Sequence, residues 1–331
     1  MRNLRAAVVQ IAAIGACWLV LAGSIEAEQF NPRRPVLLVV GSSPGSFEDQ
    51  LARRVAPLLR STWRQEVVVD NAVGAGGLLA AAKVTGAVPD GQTLLVGSIV
   101  GQVLSPLFSP SGRPPDPLKD LTPLIQLARV PILLVVGREK GIERLSELIQ
   151  KAKARPGAFT YAAGGTGSLP HLMAELFMRE TGTKIVQVPF RGTAAIQEIV
   201  SGSVDLAFIA GSSAIIVLRE RRVRALAVSG NKRLPGEPLG EVPLFQEREI
   251  KGMDGEYWYG LFGPPRMHGD TVQSISNQVR KALLEDREIG LWMNSFGGEL
   301  QLTNPVQFSE FVRKELIRWA AMSKSAKIRL D

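Results

Sequence analysis

The chain has 331 residues, of which 45% are hydrophobic and 21% are charged, and it contains 33 glycines and 21 prolines. This length predicts roughly two domains of about 150 residues each, and the many turn-forming residues exclude a coiled coil, a disordered tail and a multi-pass membrane protein. One cysteine and two histidines exclude a disulfide framework and a histidine-rich metal site. The net charge of +8 is spread out, without a dense basic run or interleaved aromatic residues, so we expect no nucleic-acid partner.

The first 27 residues have the order of a secretory signal. Arg2 and Arg5 precede an apolar run, and small residues follow it up to Ala27. The apolar run is shorter than the ~20 residues that a membrane-spanning helix needs. We therefore predict that residues 1–27 are a signal peptide cleaved after Ala27, and that the mature protein is periplasmic. Two alternatives stay open, an uncleaved membrane anchor and a lipoprotein with its lipid on Cys17.

The rest of the chain alternates between segments with the patterns of strands and of helices. Short continuous apolar runs predict buried strands, and apolar residues three and four positions apart predict helices. The predicted strands are 35–40, 66–70, 93–97, 122–128, 132–136, 160–163, 185–188, 206–209, 225–228 and 257–262. The predicted helices are 47–63, 78–85, 144–154, 169–181, 194–201 and 213–218, followed by helical faces at 272–283 and 308–319. This alternation predicts an α/β fold with parallel or mixed sheets covered by helices on both faces.

Three loops rich in small residues stand where a predicted strand ends and a helix begins, at 41–49, 163–168 and 189–194. Helix N-termini carry unpaired N–H groups and a partial positive charge, so each loop is a candidate anion site. Arg191 would add a full positive charge to the third loop. Ligands of open α/β sheets bind at the carboxyl ends of strands, where these loops are expected. The sequence therefore predicts a site for an anionic ligand.

The glycines at 74–77 resemble a dinucleotide-binding fingerprint only in part. Leu79 stands where that fingerprint has a glycine or alanine, and no acidic residue follows at the required distance. We therefore predict that these glycines allow tight packing. No metal site and no cofactor are expected.

Residues for catalysis are few. No Gly-x-Ser-x-Gly motif is present. His171, at the start of a predicted helix, could polarise an ester or bind a carboxylate, but capping of the adjacent loop is the favoured role, and His268 is predicted to be exposed. One alternative stays open, a secreted serine hydrolase with Ser168 or Ser46 as nucleophile and His171 as base. The favoured prediction assigns no catalytic residue.

Several short motifs recur in a fixed order from about Asn31 to the C-terminus. They are PRRPVLLVV at 32–40 with Pro44, Gly45 and Asp49, VVDN at 68–71, GAGG at 74–77, PDGQTLL at 89–95, YA at 161–162 with Gly165 and Gly167, HL at 171–172, VPFRG at 188–192, RALAV at 224–228 and WYGLF at 258–262. In order and spacing the chain resembles the Bug-type (Bordetella uptake gene) extracytoplasmic solute receptors. These are the binding components of tripartite tricarboxylate transporters.

The resemblance implies a two-lobed periplasmic binding protein fold (type II-like) with mixed sheets and a ligand cleft between the lobes. Lobe 1 would comprise 28–130 plus 250–331, and lobe 2 would comprise 131–249. The protein would be a monomeric, non-catalytic receptor that closes around a small carboxylate and delivers it to membrane transporter subunits. A ligand-sensing partner of a membrane kinase is the alternative role.

The resemblance also assigns ligand contacts. Carried over to this chain, these contacts come from the three loops: Ser43, Gly45, Ser46 and Phe47 in lobe 1, and Gly165, Thr166, Gly167, Ser168, Thr193 and Ala194 in lobe 2. Arg191, proposed above from its charge alone, and Ile209 complete the candidate site. Asp49 would cap the first helix without touching the ligand.

The chain departs from the family pattern at positions that bear on the ligand. Ala163 and Gly164 replace a usual Ser-Ser pair, and Ile209 and Ala210 replace a frequent Asp-Asn pair. An aspartate there can pair with the ammonium group of an amino acid, whereas Ile209 would leave that group unpaired at a large cost in free energy. We therefore predict an amine-free ligand, a di- or tricarboxylate or an aromatic acid, with its apolar body against Phe47 and Ile209.

Overall fold

The computed structural model describes residues 29–109, 113–190 and 194–325. The predicted signal peptide with Cys17, and the predicted ligand contacts Arg191 and Thr193, lie outside these residues. Of Ala194, the backbone alone is described. No helix in the described ranges is long and apolar enough to cross a membrane.

The described residues form eleven strands and nine labelled helices in alternation. The strands are β1 (Val36–Val40), β2 (Val67–Asn71), β3 (Thr93–Ser98), β4 (Thr122–Val130), β5 (Ile132–Gly137), β6 (Thr160–Ala163), β7 (Val186–Pro189), β8 (Leu206–Ala210), β9 (Val223–Val228), β10 (Tyr257–Gly263) and β11 (Glu299–Leu300). The helices are α1 (Phe47–Trp63), α2 (Leu78–Thr85), α3 (Leu145–Ala154), α4 (Leu169–Thr181), α5 (Ala194–Val200), α6 (Gly211–Arg219), α7 (Gly269–Glu285), α8 (Arg287–Asn294) and α9 (Pro305–Ser325).

The predicted elements are present with small shifts at their ends. Three elements were not predicted: the short strand β11, the helix α8, and a π-helical segment, Val100–Leu104, that continues into a helical turn at Ser105–Leu107. The π-helical segment directly follows β3. It therefore places additional backbone at the carboxyl end of that strand.

Two mixed sheets organise the chain. The first has six strands in the order β11-β4-β10-β3-β1-β2, and the second has five in the order β7-β6-β8-β5-β9. In the first sheet β1 runs parallel to β2 and β3, while β10 is antiparallel to β3 and β4. In the second sheet β6 runs parallel to β7 and β8, and β5 is antiparallel to β8 and β9. This arrangement confirms the predicted α/β fold with mixed sheets.

The carboxyl ends of parallel strands meet at one edge of each sheet. The loop at 41–46 and the π-helical segment leave β1 and β3 at the edge of the first sheet, and the loop at 164–168 leaves β6 in the second. The chain passes from the first sheet to the second between β4 and β5, at Pro131. It returns between β9 and β10.

Large aromatic side chains fill the core beneath the first sheet. Trp258 and Trp319 are almost completely buried, and the indole N–H groups of both donate to Oε2 of Glu315 at 3.1 Å. A buried carboxylate is stable when its oxygens accept such hydrogen bonds. Glu315 thus ties α9 to β10.

Candidate ligand-binding cleft

The first glycine-rich loop ends at the N-terminus of α1. Ser46 is the N-cap: its Oγ accepts the N–H of Asp49 at 3.3 Å and lies 2.6 Å from Oγ of Ser42. Gly45 has φ of +81°, a left-handed conformation that favours glycine. The N–H groups of Phe47 and Glu48 have no acceptor among the residues that the structure describes. The first turn of α1 therefore offers donors to an anion.

The side chain of Asp49 is buried and held by protein groups. Its carboxylate accepts hydrogen bonds from the N–H of Gly45 at 2.9 Å, from Nε of Arg53 at 3.0 Å and from Nδ2 of Asn71 at 2.9 Å. Burial alone would raise the pKa of Asp49, but these hydrogen bonds outweigh it and lower the pKa below its ordinary value. Asp49 thus holds the loop that precedes α1, whereas the N-cap of that helix is Ser46.

The second glycine-rich loop ends at the N-terminus of α4. Gly165 and Gly167 have φ of +115° and +79°, and Oγ of Ser168 donates to the carbonyl oxygen of Gly165 at 2.8 Å. Thr166 is exposed. Among the described residues, the N–H groups of Thr166 and Leu169 have no acceptor. This loop also presents backbone donors at a helix start.

His171 caps the second loop from within α4. Its Nδ1 accepts the N–H of Gly167 at 3.1 Å, and its Nε2 lies 3.7 Å from Oε1 of Glu175. Burial lowers the pKa of His171 below its ordinary value, which favours the neutral form that the Nδ1 acceptor requires. The loop-capping prediction is confirmed.

The geometry does not assemble a hydrolase centre. The hydroxyl of Ser168 donates to a backbone carbonyl, and the hydroxyl of Ser46 contacts Ser42 and caps α1. A serine nucleophile needs a hydrogen bond to its base, and neither serine contacts His171. The second histidine, His268, has a side chain that is 79% exposed, as predicted.

The two apolar residues predicted to face the ligand body lie in packed surroundings. The ring of Phe47 stacks on Trp292, with centroids 5.1 Å apart, and it also contacts Tyr259 and Phe296. Ile209 is 7% exposed. The half-buried ring of Phe47 therefore joins α1 to α8 and β10.

A cavity of about 180 Å³ lies at the carboxyl ends of β1 and β3, adjoining the first loop. In the wall of this cavity the backbone segments at Gly41, Gly77 and Gly101 approach each other closely. A Cβ on Gly41 would lie 2.7 Å from Cα of Gly77, and a Cβ on Gly77 would lie 3.1 Å from Cα of Gly101. This confirms that the glycines at 74–77 serve tight packing.

Three polar side chains that the sequence analysis did not identify line this cavity. Oε1 of Glu48 accepts the N–H of Gly41 at 3.3 Å, and Glu48 is also hydrogen-bonded to the side chain of Ser98. Oε1 of Gln102 accepts the N–H of Ser98 at 2.6 Å. Burial raises the pKa of Glu48 to about 7, although the hydrogen bonds from Ser98 and Gly41 oppose the rise.

The segment that borders the cavity also reaches the second loop. The helical turn after the π-helical segment ends at Phe108, and a Cβ on Gly167 would lie 2.7 Å from the ring of Phe108. The second loop thus approaches the first sheet at the edge that holds the cavity. In the described ranges, no group of three or more histidine, cysteine, aspartate or glutamate side chains could hold a metal ion.

Comparison with known proteins gives the family. The family model "Tripartite tricarboxylate transporter family receptor" matches residues 51–328. Protein BugT of Bordetella pertussis is 28% identical over 311 residues, which is 94% of this chain and 94% of BugT.

Solved structures agree with this assignment. A protein of R. palustris solved with adipate is 31% identical, with a TM-score of 0.79 over 90% of this chain and 99% of that one. MatC of Rhodopseudomonas palustris, solved with bound malate, is 29% identical, with a TM-score of 0.75 over 88% and 99%. The periplasmic binding protein BugD is 26% identical, with a TM-score of 0.76 over 90% and 99%. The chain therefore belongs to the family of tripartite tricarboxylate transporter receptors that includes the Bug proteins, and it is a solute-binding receptor rather than an enzyme.

Proposed function

We propose that this protein captures a small, amine-free carboxylate in the periplasm, closes its lobes around the ligand and delivers it to the membrane subunits of a tripartite transporter. The observation that carries the proposal is the pair of helix N-termini with unpaired N–H groups, one on each sheet, at the start of α1 and the start of α4. Backbone donors at helix starts favour anions. The bound adipate and malate of two similar structures support a carboxylate as the anion.

The proposed contacts come from both loops and from the start of α5. From the first sheet side they are Ser43, Gly45, Ser46 and Phe47, and from the second they are Gly165, Thr166, Gly167, Ser168, Arg191, Thr193, Ala194 and Ile209. Because the ring of Phe47 already packs against Trp292, its expected contribution is its free backbone N–H. A guanidinium group is the residue type best suited to a carboxylate, which makes Arg191 the expected charged contact.

The lobe boundaries proposed from the family pattern agree with the way in which the strands divide between the sheets. Strands β1 to β4, β10 and β11 belong to the first sheet, which supports lobe 1 at 28–130 plus 250–331. Strands β5 to β9 belong to the second, which supports lobe 2 at 131–249. A ligand that contacts both lobes stabilises the closed state over the open one. We propose that the closed monomer is the form that the transporter subunits bind.

Thermal unfolding with candidate ligands tests this function. The mature protein, freed of co-purified ligand by unfolding and refolding, is screened against adipate, malate, citrate, benzoate, aspartate and glutamate. An acid at about 100 times its Kd should stabilise the protein by about 2.7 kcal/mol, which raises Tm by a few degrees. Micromolar binding of aspartate or glutamate would contradict an amine-free ligand. Absence of binding by every acid would contradict a carboxylate receptor.

A pair of arginine variants tests the charged contact. Arg191→Gln should weaken binding of the acid found in the screen by about 10- to 100-fold, because a hydrogen bond to a charged group contributes roughly 1.5–3 kcal/mol. Arg60→Gln is the control, since this side chain is 63% exposed and pairs only with Glu66 on the surface. Equal affinities of the two variants would remove Arg191 from the site.

A further inference from the structure

The cavity beside the first loop contains an acidic group where an anion is expected. Glu48 lines this cavity, and its carboxyl already accepts the N–H of Gly41 at 3.3 Å. The same residue contributes one of the free backbone N–H groups at the start of α1. An ionised Glu48 would therefore repel a carboxylate at the place where the helix N-terminus attracts it.

Among the residues that the structure describes, no positively charged side chain pairs with Glu48. The other charged residues of its own helix are engaged elsewhere. Asp49 and Arg53 pair with each other, Arg54 lies over the ring of Trp292, and Arg60, in the last turn, pairs with Glu66. The other residues that line the cavity, from β1, β3, the π-helical segment and the turn at 76–77, are uncharged: Gly41, Ser42, Gly76, Gly77, Leu95, Val96, Gly97, Ser98, Val100, Gly101 and Gln102.

The neighbouring strand β10 also supplies no cation. Tyr259 lies close enough to interact electrostatically with Glu48, and burial, together with Tyr257 and Glu48, raises the pKa of Tyr259 well above its ordinary value. The phenol therefore stays neutral. Removal of water around Glu48 disfavours its ionised form, and its pKa of about 7 places the change of charge in the neutral range.

We propose that Glu48 holds a proton in the liganded receptor and donates a hydrogen bond to the carboxylate of the ligand, so that the receptor takes up its ligand together with one proton. This inference rests on the proposed function. A carboxylic acid kept neutral by its surroundings is a hydrogen-bond donor, whereas a carboxylate only accepts.

The proposal gives a defined dependence of affinity on pH. When only the protonated receptor binds, the apparent Kd is the intrinsic Kd divided by the protonated fraction. For a group that titrates near 7, the apparent Kd should rise by about tenfold between about pH 6 and about pH 8. Calorimetry in buffers with different heats of ionisation should also show proton uptake on binding near neutral pH.

The test uses adipate and malate with three forms of the full mature protein: wild type, Glu48→Gln and Glu285→Gln. Glu48→Gln keeps the size of the side chain and donates a hydrogen bond at every pH. The affinity of this variant should therefore match that of wild type at low pH and stay constant as pH rises. Glu285 is a surface residue, 67% exposed, and its substitution should leave the wild-type profile unchanged. Titration of the acids themselves would appear equally in all three proteins.

Each of the three possible outcomes either supports or overturns the proposed role of Glu48. A fall in affinity with rising pH in wild type and in Glu285→Gln, absent in Glu48→Gln, supports the proposal. Binding of adipate or malate with the same pH profile in all three proteins overturns the role of Glu48 and leaves the carboxylate receptor intact. Failure of both acids to bind wild type even at about pH 6, where about nine-tenths of the protein would be protonated, overturns the inference together with its premise.

Discussion

The close packing of Gly41, Gly77 and Gly101 in the cavity wall can be tested by adding a single methyl group. In Gly41→Ala the added Cβ would lie 2.7 Å from Cα of Gly77, and the backbone of Gly77 cannot move aside as a flexible side chain could. Gly41 does not have a positive φ, so the steric contact is the whole cause of the expected loss. Overpacking of this kind costs about 1 to 3 kcal/mol, which for a chain of this length corresponds to a decrease in Tm of roughly 2 to 5 °C.

Gly101→Ala is the matched control in the same wall. Its Cβ would lie no closer than 3.6 Å to the nearest heavy atom, the carbonyl oxygen of Gly76, which is an ordinary van der Waals distance. Thermal unfolding of both variants without ligand should show a clear loss for Gly41→Ala and little change for Gly101→Ala. Adipate should also stabilise Gly41→Ala less than wild type, because the displaced wall narrows the cavity. Equal Tm values for the two variants would refute this description of the wall.

Three further predictions concern buried polar groups and can be measured by unfolding in denaturant at several pH values. Because folding lowers the pKa of Asp49, its ionised carboxylate stabilises the fold above the unfolded pKa of 3.8, and this stabilisation is lost as pH falls. The free energy of unfolding of Asp49→Asn should be about 1 to 3 kcal/mol below that of wild type at neutral pH and nearly equal to it in acid. A difference that does not change with pH would contradict this. Folding lowers the pKa of His171 from 6.5, so wild type should lose stability as pH falls below 6.5. His171→Ala should be about 1 to 3 kcal/mol less stable than wild type at neutral pH, and its free energy of unfolding should not show this decrease with falling pH. Glu315→Ala leaves two buried indole N–H groups unpaired and should cost about 2 to 5 kcal/mol, whereas Glu310→Ala, 48% exposed, should be nearly neutral.

Most of the fold and the two loops could be predicted from the sequence because their causes are local. A short apolar run bounded by turn residues specifies a buried strand wherever it occurs. Ser46 three residues before Asp49 is a helix start that can be identified without any tertiary contact. The same is true of the loop before α4, where Gly167 and His171 are four positions apart and meet through one turn of chain.

The cavity could not be predicted in this way because its residues meet only through the sheet. Glu48 and Ser98 are distant in sequence and approach each other because β1 pairs in parallel with β3. The direction of the Glu48 side chain depends on which face of α1 packs against the sheet, and an acidic residue in a first helical turn indicates by itself only a favourable interaction with the helix dipole. The π-helical segment has no strong sequence signal of its own, since π-helices are rare. Small residues at Gly41, Gly77 and Gly101, each beyond a strand, were the available hint.

Ile209, in the second sheet, occupies the position at which an aspartate could pair with the ammonium group of an amino acid. Glu48 supplies an acidic group at the start of α1, so the absence of that aspartate does not by itself exclude an amino acid. The two ligand classes nevertheless require opposite charge states of Glu48. An ammonium group would stabilise the carboxylate form, and affinity would then rise with pH through about 7, whereas an amine-free carboxylate requires the protonated form and its affinity falls. We expect adipate and malate to bind more weakly at higher pH. We expect aspartate to bind weakly at every pH, because its ammonium group favours the ionised form of Glu48 and its carboxylates favour the protonated form. A rise in aspartate affinity with pH, abolished by Glu48→Gln, would show that the receptor recognises an amino acid through Glu48.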